Sequence, residues 1–347
     1  MRILVLGAGG TGGYFGGRLA QAGADVTFLV RPARAERLRQ HGLVIRSPQG
    51  DAQLPVQLIT ADQAPAWGHA NLVLLSCKAY DLDDAITAIR PVVGERTVVL
   101  PVLNGLAHLE RLDAAFGESR VLGGLCHISA TTAPDGAVLH LSIGQGPAVH
   151  SITFGERTPH APRERTEAIR DVFATANFDS VLAENVMQDM WEKFTFLTSL
   201  AAMTCLMRAT VGEIVATDEG AALNEAMFSA CERVAAASGY PNRQAARERA
   251  LNVLTQAGSP LTASMLRDLE SGARVEADHI VGDMLRRGRA LGVDVSLLRV
   301  AFAHLQAYQQ RVLRAAGWTC QEFRVLRSVK RSQLMAAVNR SPNRMAN

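Results

Sequence analysis

The chain has 347 residues, of which 48% are hydrophobic and 20% charged, and its formal net charge is +3. This length suggests about two domains, each with enough apolar side chains to bury a core. So small a charge gives no indication of a nucleic-acid partner, and no run of about 18 apolar residues predicts a membrane span.

The first predicted element is a short apolar strand that leads directly into a glycine-rich turn and a helix over about 11–22. Gly7 allows the tight turn, Gly9 lets the backbone approach a pyrophosphate, and Gly12 lets the helix pack closely on the strand. Gly10 and Thr11 begin the helix, whose N-terminal N–H groups favour a phosphate. The pattern predicts a dinucleotide site, with a cofactor-free glycine turn as the alternative.

The second predicted strand runs over 25–31 and ends in a basic residue. A site for NAD usually places Asp or Glu here to accept from the ribose 2′-hydroxyl, whereas this chain has Arg31, followed one turn later by Arg34. A guanidinium matches a 2′-phosphate in charge and in geometry, so the sequence favours NADPH. The alternative is a solvated pair of arginines.

The remaining first half alternates strand and helix signals, which is the rhythm of a parallel, doubly wound sheet. Further apolar runs lie at 43–45, 72–76, 97–100 and 120–122. Two short strands, 137–141 and 149–154, predict an antiparallel addition to that sheet. A helix near 163–175 and a strand near 179–182 complete the first domain.

Beyond residue 183 helical periodicity dominates. Helices are predicted at 186–207, 219–238, 244–255, 274–291 and 296–314. The expected fold is an α/β Rossmann-type doubly wound domain (1–183), an all-helical domain (184–316) and a basic C-terminal extension (317–347). We expect the extension to be an amphipathic helix and a frayed tail rather than a nucleic-acid arm.

Cysteine and histidine spacing predicts neither a disulfide framework nor a metal site. The five cysteines are scattered and contain no CxxC, which is typical of reduced thiols in a cytoplasmic protein. The nine histidines, among them His127, His140 and His279, show no spacing typical of metal ligands.

Lys193 is the first candidate for catalysis. It lies at the edge of the apolar stripe of helix 186–207, where partial desolvation would lower its pKa and suit it to donate a proton. The alternative is a lysine that extends to solvent and pairs with Asp189 one turn earlier.

Four further residues are candidates, each with a structural alternative. Ser264 could bind a ligand or cap a helix, and Glu276 could bind a ligand or stabilise the first turn of helix 274–291. Asn104 and Lys78 follow the carboxyl ends of predicted parallel strands, where open α/β sheets bind ligands, although Asn104 could simply turn the chain.

Together these residues resemble the ketopantoate reductases (2-dehydropantoate 2-reductases) over residues 1 to about 312. The resemblance rests on Gly7–Gly12, Arg31, 76–79, 103–105, 191–193, 264–268, Glu276 and Gly282. It implies a second domain like that of 6-phosphogluconate dehydrogenase, NADPH as cofactor, and a cleft between the domains.

The resemblance also implies roles for the candidates. Lys193 would be the general acid and Glu276 a second catalytic residue that positions it and holds a substrate hydroxyl. Ser264 would bind the substrate, and Asn104 and Lys78 would line the nicotinamide and substrate region.

Two departures from the family pattern concern the substrate. Leu197 stands four residues after the lysine where the family usually has Asn, and Leu261 stands three residues before the serine where an amide is common. The leading function is NADPH-dependent reduction of ketopantoate to pantoate, a step towards pantothenate. The alternatives are reduction of another 2-oxo acid or carbonyl compound and a non-catalytic NADP-binding regulator. The oligomeric state stays open, with a homodimer among the options.

Overall fold

The computed structural model describes residues 1–142, 149–158, 161 and 163–315. Its strands are β1 (Arg2–Leu6), β2 (Asp25–Leu29), β3 (Leu43–Arg46), β4 (Ala52–Leu54), β5 (Gln57–Ile59), β6 (Leu72–Leu75), β7 (Val98–Pro101), β8 (Gly123–Ile128), β9 (Ala130–Thr132), β10 (Val138–His140), β11 (His150–Gly155) and β12 (Asp179–Leu182).

The helices divide between the two halves of the chain. They are α1 (Gly10–Gln21), α2 (Pro32–His41), α3 (Ala64–Trp67), α4 (Leu82–Ile89), α5 (Ala107–Phe116), α6 (Glu164–Phe173), α7 (Val186–Met207), α8 (Val211–Val215), α9 (Gly220–Ala237), α10 (Gln244–Leu254), α11 (Ser264–Glu270), α12 (Val281–Ala290) and α13 (Ser296–Ala315).

A five-stranded parallel sheet in the order β5-β2-β1-β6-β7 forms the centre of the first half. Successive residues of its strands face opposite sides. Leu4 and Val73 pack in one core, with α4 and α5, while Ile3 and Leu74 pack in the other, with α1 and α2. Both faces are therefore covered, which explains the continuous apolar runs and confirms the Rossmann-type prediction.

Several predicted strands belong to other sheets than expected. The strand predicted at 43–45 is β3, which lies in a separate sheet of order β4-β3-β10-β9. Segment 120–122 forms only the isolated bridge between Val99 and Val121. The expected antiparallel addition is split, because β10 joins the sheet of β3 whereas β11 pairs with β8 and β12. Hydrophobic alternation reports which residues are buried but not which strand lies alongside, so the pattern could not assign these partners.

Helix α7 is the central helix of the second half and has the bounds that the sequence predicts. Asn185 caps it by accepting a hydrogen bond from the Gln188 N–H (3.1 Å), and it ends at Arg208, whose backbone is left-handed (φ 53°). It packs against α9, α11, α13 and β8. The predicted all-helical second domain is confirmed, and the expected boundary at residue 183 lies in the short link between β12 and α7.

The helix predicted at 274–291 is wrong at its start, because α12 begins only at Val281. Residues 273–276 have no regular secondary structure and residues 277–280 form a turn, in which the His279 and Ile280 N–H groups donate to the Glu276 carbonyl (both 3.1 Å). Glu276 is therefore not in the first turn of a helix. Its carboxylate contacts the first half of the chain, so tertiary contacts override the local helical pattern here.

The short helix α8 was not expected from the sequence, whereas α11 is the helix that Ser264 was expected to precede as a possible cap. The predicted basic extension, 317–347, lies outside the described residues. Among the described residues, no helix has the length and apolar character needed to cross a membrane.

Candidate active site

The glycine-rich turn is built to admit a phosphate group. Gly7 has a φ of +88°, and its N–H donates to the Leu29 carbonyl (3.0 Å). A Cβ at Gly12 would overlap Ser76 Oγ and the Gly7 carbonyl oxygen, whereas at Gly9 the nearest atom would be Thr132 Oγ1 at 3.9 Å. Gly7 and Gly12 are thus needed for the fold, while Gly9 leaves open space at the N-terminus of α1.

The rest of this turn also fits a dinucleotide. A Cβ at Gly10 would lie 2.6 Å from the Ala130 carbonyl oxygen, so Gly10 lets β9 pack against the loop. Thr11 is in the first turn of α1, which carries no acidic residue to oppose an anion. The loop therefore fits the pyrophosphate of a dinucleotide cofactor.

The two arginines after β2 are held differently. Arg31 is 77% exposed, and its Nη2 lies 3.1 Å from Asp81 Oδ2. Arg34 donates to the Ala8 carbonyl through Nε (3.2 Å) and Nη2 (2.8 Å), and to the Gly136 carbonyl through Nη1 (2.8 Å). Arg34 thus braces the glycine loop, whereas the guanidinium of Arg31 is accessible to a ligand.

Lys193 is held by oxygen atoms of the first half of the chain. Its Nζ donates to the Cys126 carbonyl (2.6 Å) and to Asn104 Oδ1 (3.2 Å). Burial lowers its pKa from the usual lysine value. The pairing with Asp189 considered as an alternative does not form, because Asp189 and Glu192 both bind Arg243.

The loop that carries Asn104 packs against both α7 and the segment that carries Glu276. Gly105 has a φ of +80°, and a Cβ there would lie 2.8 Å from the His279 carbonyl oxygen and 3.7 Å from Phe194 Cε2. Only glycine permits this close approach in this conformation. Asn104, Lys193 and Glu276, which are distant in sequence, therefore belong to one region.

Glu276 and Lys78 connect the two halves of the chain. Glu276 is buried, and its Oε1 accepts from the Ala79 N–H (2.9 Å), while its Oε2 lies 3.5 Å from Lys78 Nζ. Lys78 Nζ also lies 2.6 Å from Asp268 Oδ2. Burial alone would lower the pKa of Lys78, but the two carboxylates raise it above its usual value. Lys78 is therefore a cation at neutral pH.

Ser264 is the first residue of α11 and does not cap it, because the cap position is Ala263. It precedes Asp268 by four residues, so the two side chains lie on the same face of the helix. Since Asp268 binds Lys78, this face is directed towards the first half of the chain. Lys78 contacts Glu276, and Ser264 lies on the same face of α11 as Asp268, the other carboxylate bound by Lys78.

Sequence reasoning missed three contributors to this region. The Cys126 carbonyl, which accepts from Lys193, leaves no signal in side-chain patterns. Asp268 does leave a signal in the sequence, since it follows Ser264 by one helical turn. His127 also lies here: burial and the charge of Lys193 lower its pKa to about 4.

His108 is a second buried titratable side chain whose pKa responds to the charge of Lys193. The pKa of buried His108 is lowered to about 3, first by burial and then by His279, Arg157 and Lys193. Among the described residues, no group of acidic, histidine or cysteine side chains could hold a metal ion.

Comparison with known proteins identifies the family of the chain. The family model "Ketopantoate reductase PanE/ApbA" matches residues 3–155, and "Ketopantoate reductase PanE/ApbA C terminal" matches residues 185–309. The chain belongs to the ketopantoate reductase family. It is an oxidoreductase of this type, as the sequence resemblance predicted.

Similar proteins carry different names. The chain is 35% identical over 309 residues to the "Uncharacterized oxidoreductase YkpB" of Bacillus subtilis, covering 89% of this chain and 99% of that protein. It is 25% identical to the 2-dehydropantoate 2-reductase of Nostoc sp., covering 88% and 94%.

Solved structures confirm the fold. The crystal structure of 2-dehydropantoate 2-reductase from Geobacter metallireducens has a TM-score of 0.80 at 27% identity, covering 88% of this chain and 99% of that one. A D-mandelate dehydrogenase structure has a TM-score of 0.79 at 18% identity, covering 90% of this chain and 99% of that one, which shows likeness of fold alone.

Proposed function

We propose that the chain catalyses the NADPH-dependent reduction of a 2-oxo acid, with ketopantoate reduction to pantoate, a step towards pantothenate, as the leading reaction. The observation that carries this proposal is the setting of Lys193. It is an ammonium group desolvated by burial, held by Asn104 and a main-chain carbonyl, and paired with no carboxylate among the described residues.

The cofactor proposal rests on the glycine turn and on Arg31. Gly9 leaves room for the pyrophosphate, α1 presents its N-terminus to it, and the guanidinium of Arg31 is accessible to a 2′-phosphate. When bound, NADPH supplies the hydride. The protein supplies alignment and a proton.

Lys193 is suited to provide that proton. An ammonium group has three N–H donors, of which the Asn104 side chain and the Cys126 carbonyl take two. The third remains for the substrate oxygen, on which negative charge develops during reduction. A lowered pKa brings the group closer to the value that favours proton transfer near neutrality.

The neighbouring groups are proposed to hold the rest of the substrate. Glu276 is fixed by Ala79 and Lys78, and its carboxylate retains lone pairs that can accept from a substrate hydroxyl. Ser264 and the positive environment of Lys193 would bind the carboxylate. Lys78 and Asn104 would line the nicotinamide region.

Leu197 and Leu261 favour a second candidate function, the reduction of a less polar 2-oxo acid or other carbonyl compound. Both side chains are partly buried against the large apolar core. Neither can hydrogen-bond a substrate hydroxyl.

The test is oxidation of NADPH, followed by its absorbance, with ketopantoate beside a panel of 2-oxo acids of graded polarity. The highest kcat/KM for ketopantoate supports the leading reaction, and a highest value for a less polar acid supports the second. Binding of NADPH without turnover of any 2-oxo acid in the panel would contradict the proposed reaction.

We further propose a cytoplasmic location, which free thiols at Cys77, Cys126, Cys205 and Cys231 support, because a reducing compartment keeps thiols unpaired. The expected partners are the cofactor and a small 2-oxo acid, without nucleic acid. A homodimer is an option that sedimentation would test.

A further inference from the structure

His127 is an exposed polar side chain near Lys193 to which the mechanism above gives no role. Two residues before it on β8, Leu125 packs in the apolar core that α7 shares, whereas Cys126 packs in the opposite core. Because side chains alternate along a strand, His127 faces the same side as Leu125, towards α7. Its side chain is exposed.

The packing of β8 on α7 places His127 beside the substrate region. A Cβ at Gly123 would lie 2.5 Å from Val186 Cγ1 and 3.2 Å from Met190 Sδ, and further along both elements the Cys126 carbonyl accepts from Lys193. β8 and α7 therefore lie side by side and run in the same direction. The next residue of the strand is His127, and the next turn of the helix carries Leu197.

The state of the imidazole fits a ligand contact. Burial and the charge of Lys193 lower its pKa to about 4, although the side chain remains accessible to solvent. At neutral pH it is an uncharged ring with one donor and one acceptor nitrogen, which matches the donor and acceptor of a hydroxyl group.

We propose that His127 binds a hydroxyl group on the carbon chain of the 2-oxo acid and thereby determines substrate specificity. This inference rests on the proposed function. His127 would supply, from the first half of the chain, a polar contact on the side where Leu197 supplies none.

The experiment compares kcat and KM for ketopantoate and for its des-hydroxy analogue, at saturating NADPH, in the whole protein. The variants are His127→Leu, which removes the hydrogen bond, and His127→Gln, which retains a donor and an acceptor. His41→Leu is the matched control, because His41 is an exposed histidine at the end of α2. Thermal melting and NADPH titration verify that each variant is folded.

We expect His127→Leu to lower kcat/KM for ketopantoate about tenfold, mainly by raising KM, and to change the value for the des-hydroxy analogue less than about twofold. His127→Gln should recover much of the loss, and His41→Leu should change neither value. Equal losses on both substrates, or no loss on either, would overturn the inference while leaving the proposed function standing. Wild-type protein that reduces no 2-oxo acid would overturn both.

Discussion

Replacement of Arg31 by alanine should reduce the affinity for NADPH and leave that for NADH nearly unchanged. Arg31 is 77% exposed, and its partner Asp81 is 33% exposed, so their ion pair contributes only about 0–1 kcal/mol. A phosphate can displace Asp81 at little cost. The charge-assisted hydrogen bond between the guanidinium and the phosphate is worth roughly 1.5–3 kcal/mol, which corresponds to a ten- to hundredfold change in Kd.

Arg34→Ala is the matched control. Arg34 donates twice to the Ala8 carbonyl of the glycine turn, so its loss should loosen that turn and weaken NADPH and NADH alike. Fluorescence titration of both cofactors, at low and moderate salt, gives four Kd values for each protein. Equal affinity of the wild-type protein for the two cofactors, or an equal loss of both in Arg31→Ala, would refute the assignment of Arg31 to the 2′-phosphate.

Three further experiments test the glycine-rich turn, the proton donor Lys193 and the substrate contact at Leu197. Gly12→Ala should lower Tm because its Cβ would overlap Ser76 Oγ, whereas Gly9→Ala should keep Tm within a few degrees and lose NADPH affinity, as melting and titration would show. The kcat should fall as pH rises, with a midpoint below the usual lysine pKa of 10.5, because burial lowers the pKa of Lys193 and only its protonated form donates. A kcat that does not change up to pH 10.5 would contradict this role of Lys193. Leu197→Asn should favour ketopantoate over its des-hydroxy analogue about fivefold in kcat/KM, because the amide offers the hydroxyl a second hydrogen-bond partner; an unchanged ratio would make Leu197 a core residue only.

The sequence predicts those parts of the fold in which local pattern and tertiary structure agree. Helix α7 has a continuous apolar stripe and an asparagine cap, and its predicted bounds match the structure. The glycine turn was predictable because each glycine has a separate steric reason, which the structure bears out at Gly7 and Gly12. Sheet membership was not predictable for β3 or β10, since alternation does not specify the neighbouring strand.

The candidate site shows the same division. The positions of predicted strands and helices were enough to identify Lys193, Asn104 and Lys78 as candidates. In the structure Lys193 donates a hydrogen bond to Asn104. Glu276 was predicted in the wrong local setting, because its contacts are with Lys78 and Ala79, which are distant in sequence, and it lies before the start of α12. The Cys126 carbonyl is a main-chain group, so no side-chain pattern could reveal it.

The most direct test of the central claim is the kcat of Lys193→Ala, at saturating NADPH, with the 2-oxo acid that the wild-type protein reduces best. If Lys193 donates the proton to the reacting oxygen, kcat should fall by about 10²–10⁴ while the Kd for NADPH stays nearly unchanged, because the glycine turn that is proposed to hold the cofactor remains intact. A variant that is folded, binds NADPH and turns over at nearly the wild-type rate would contradict the account.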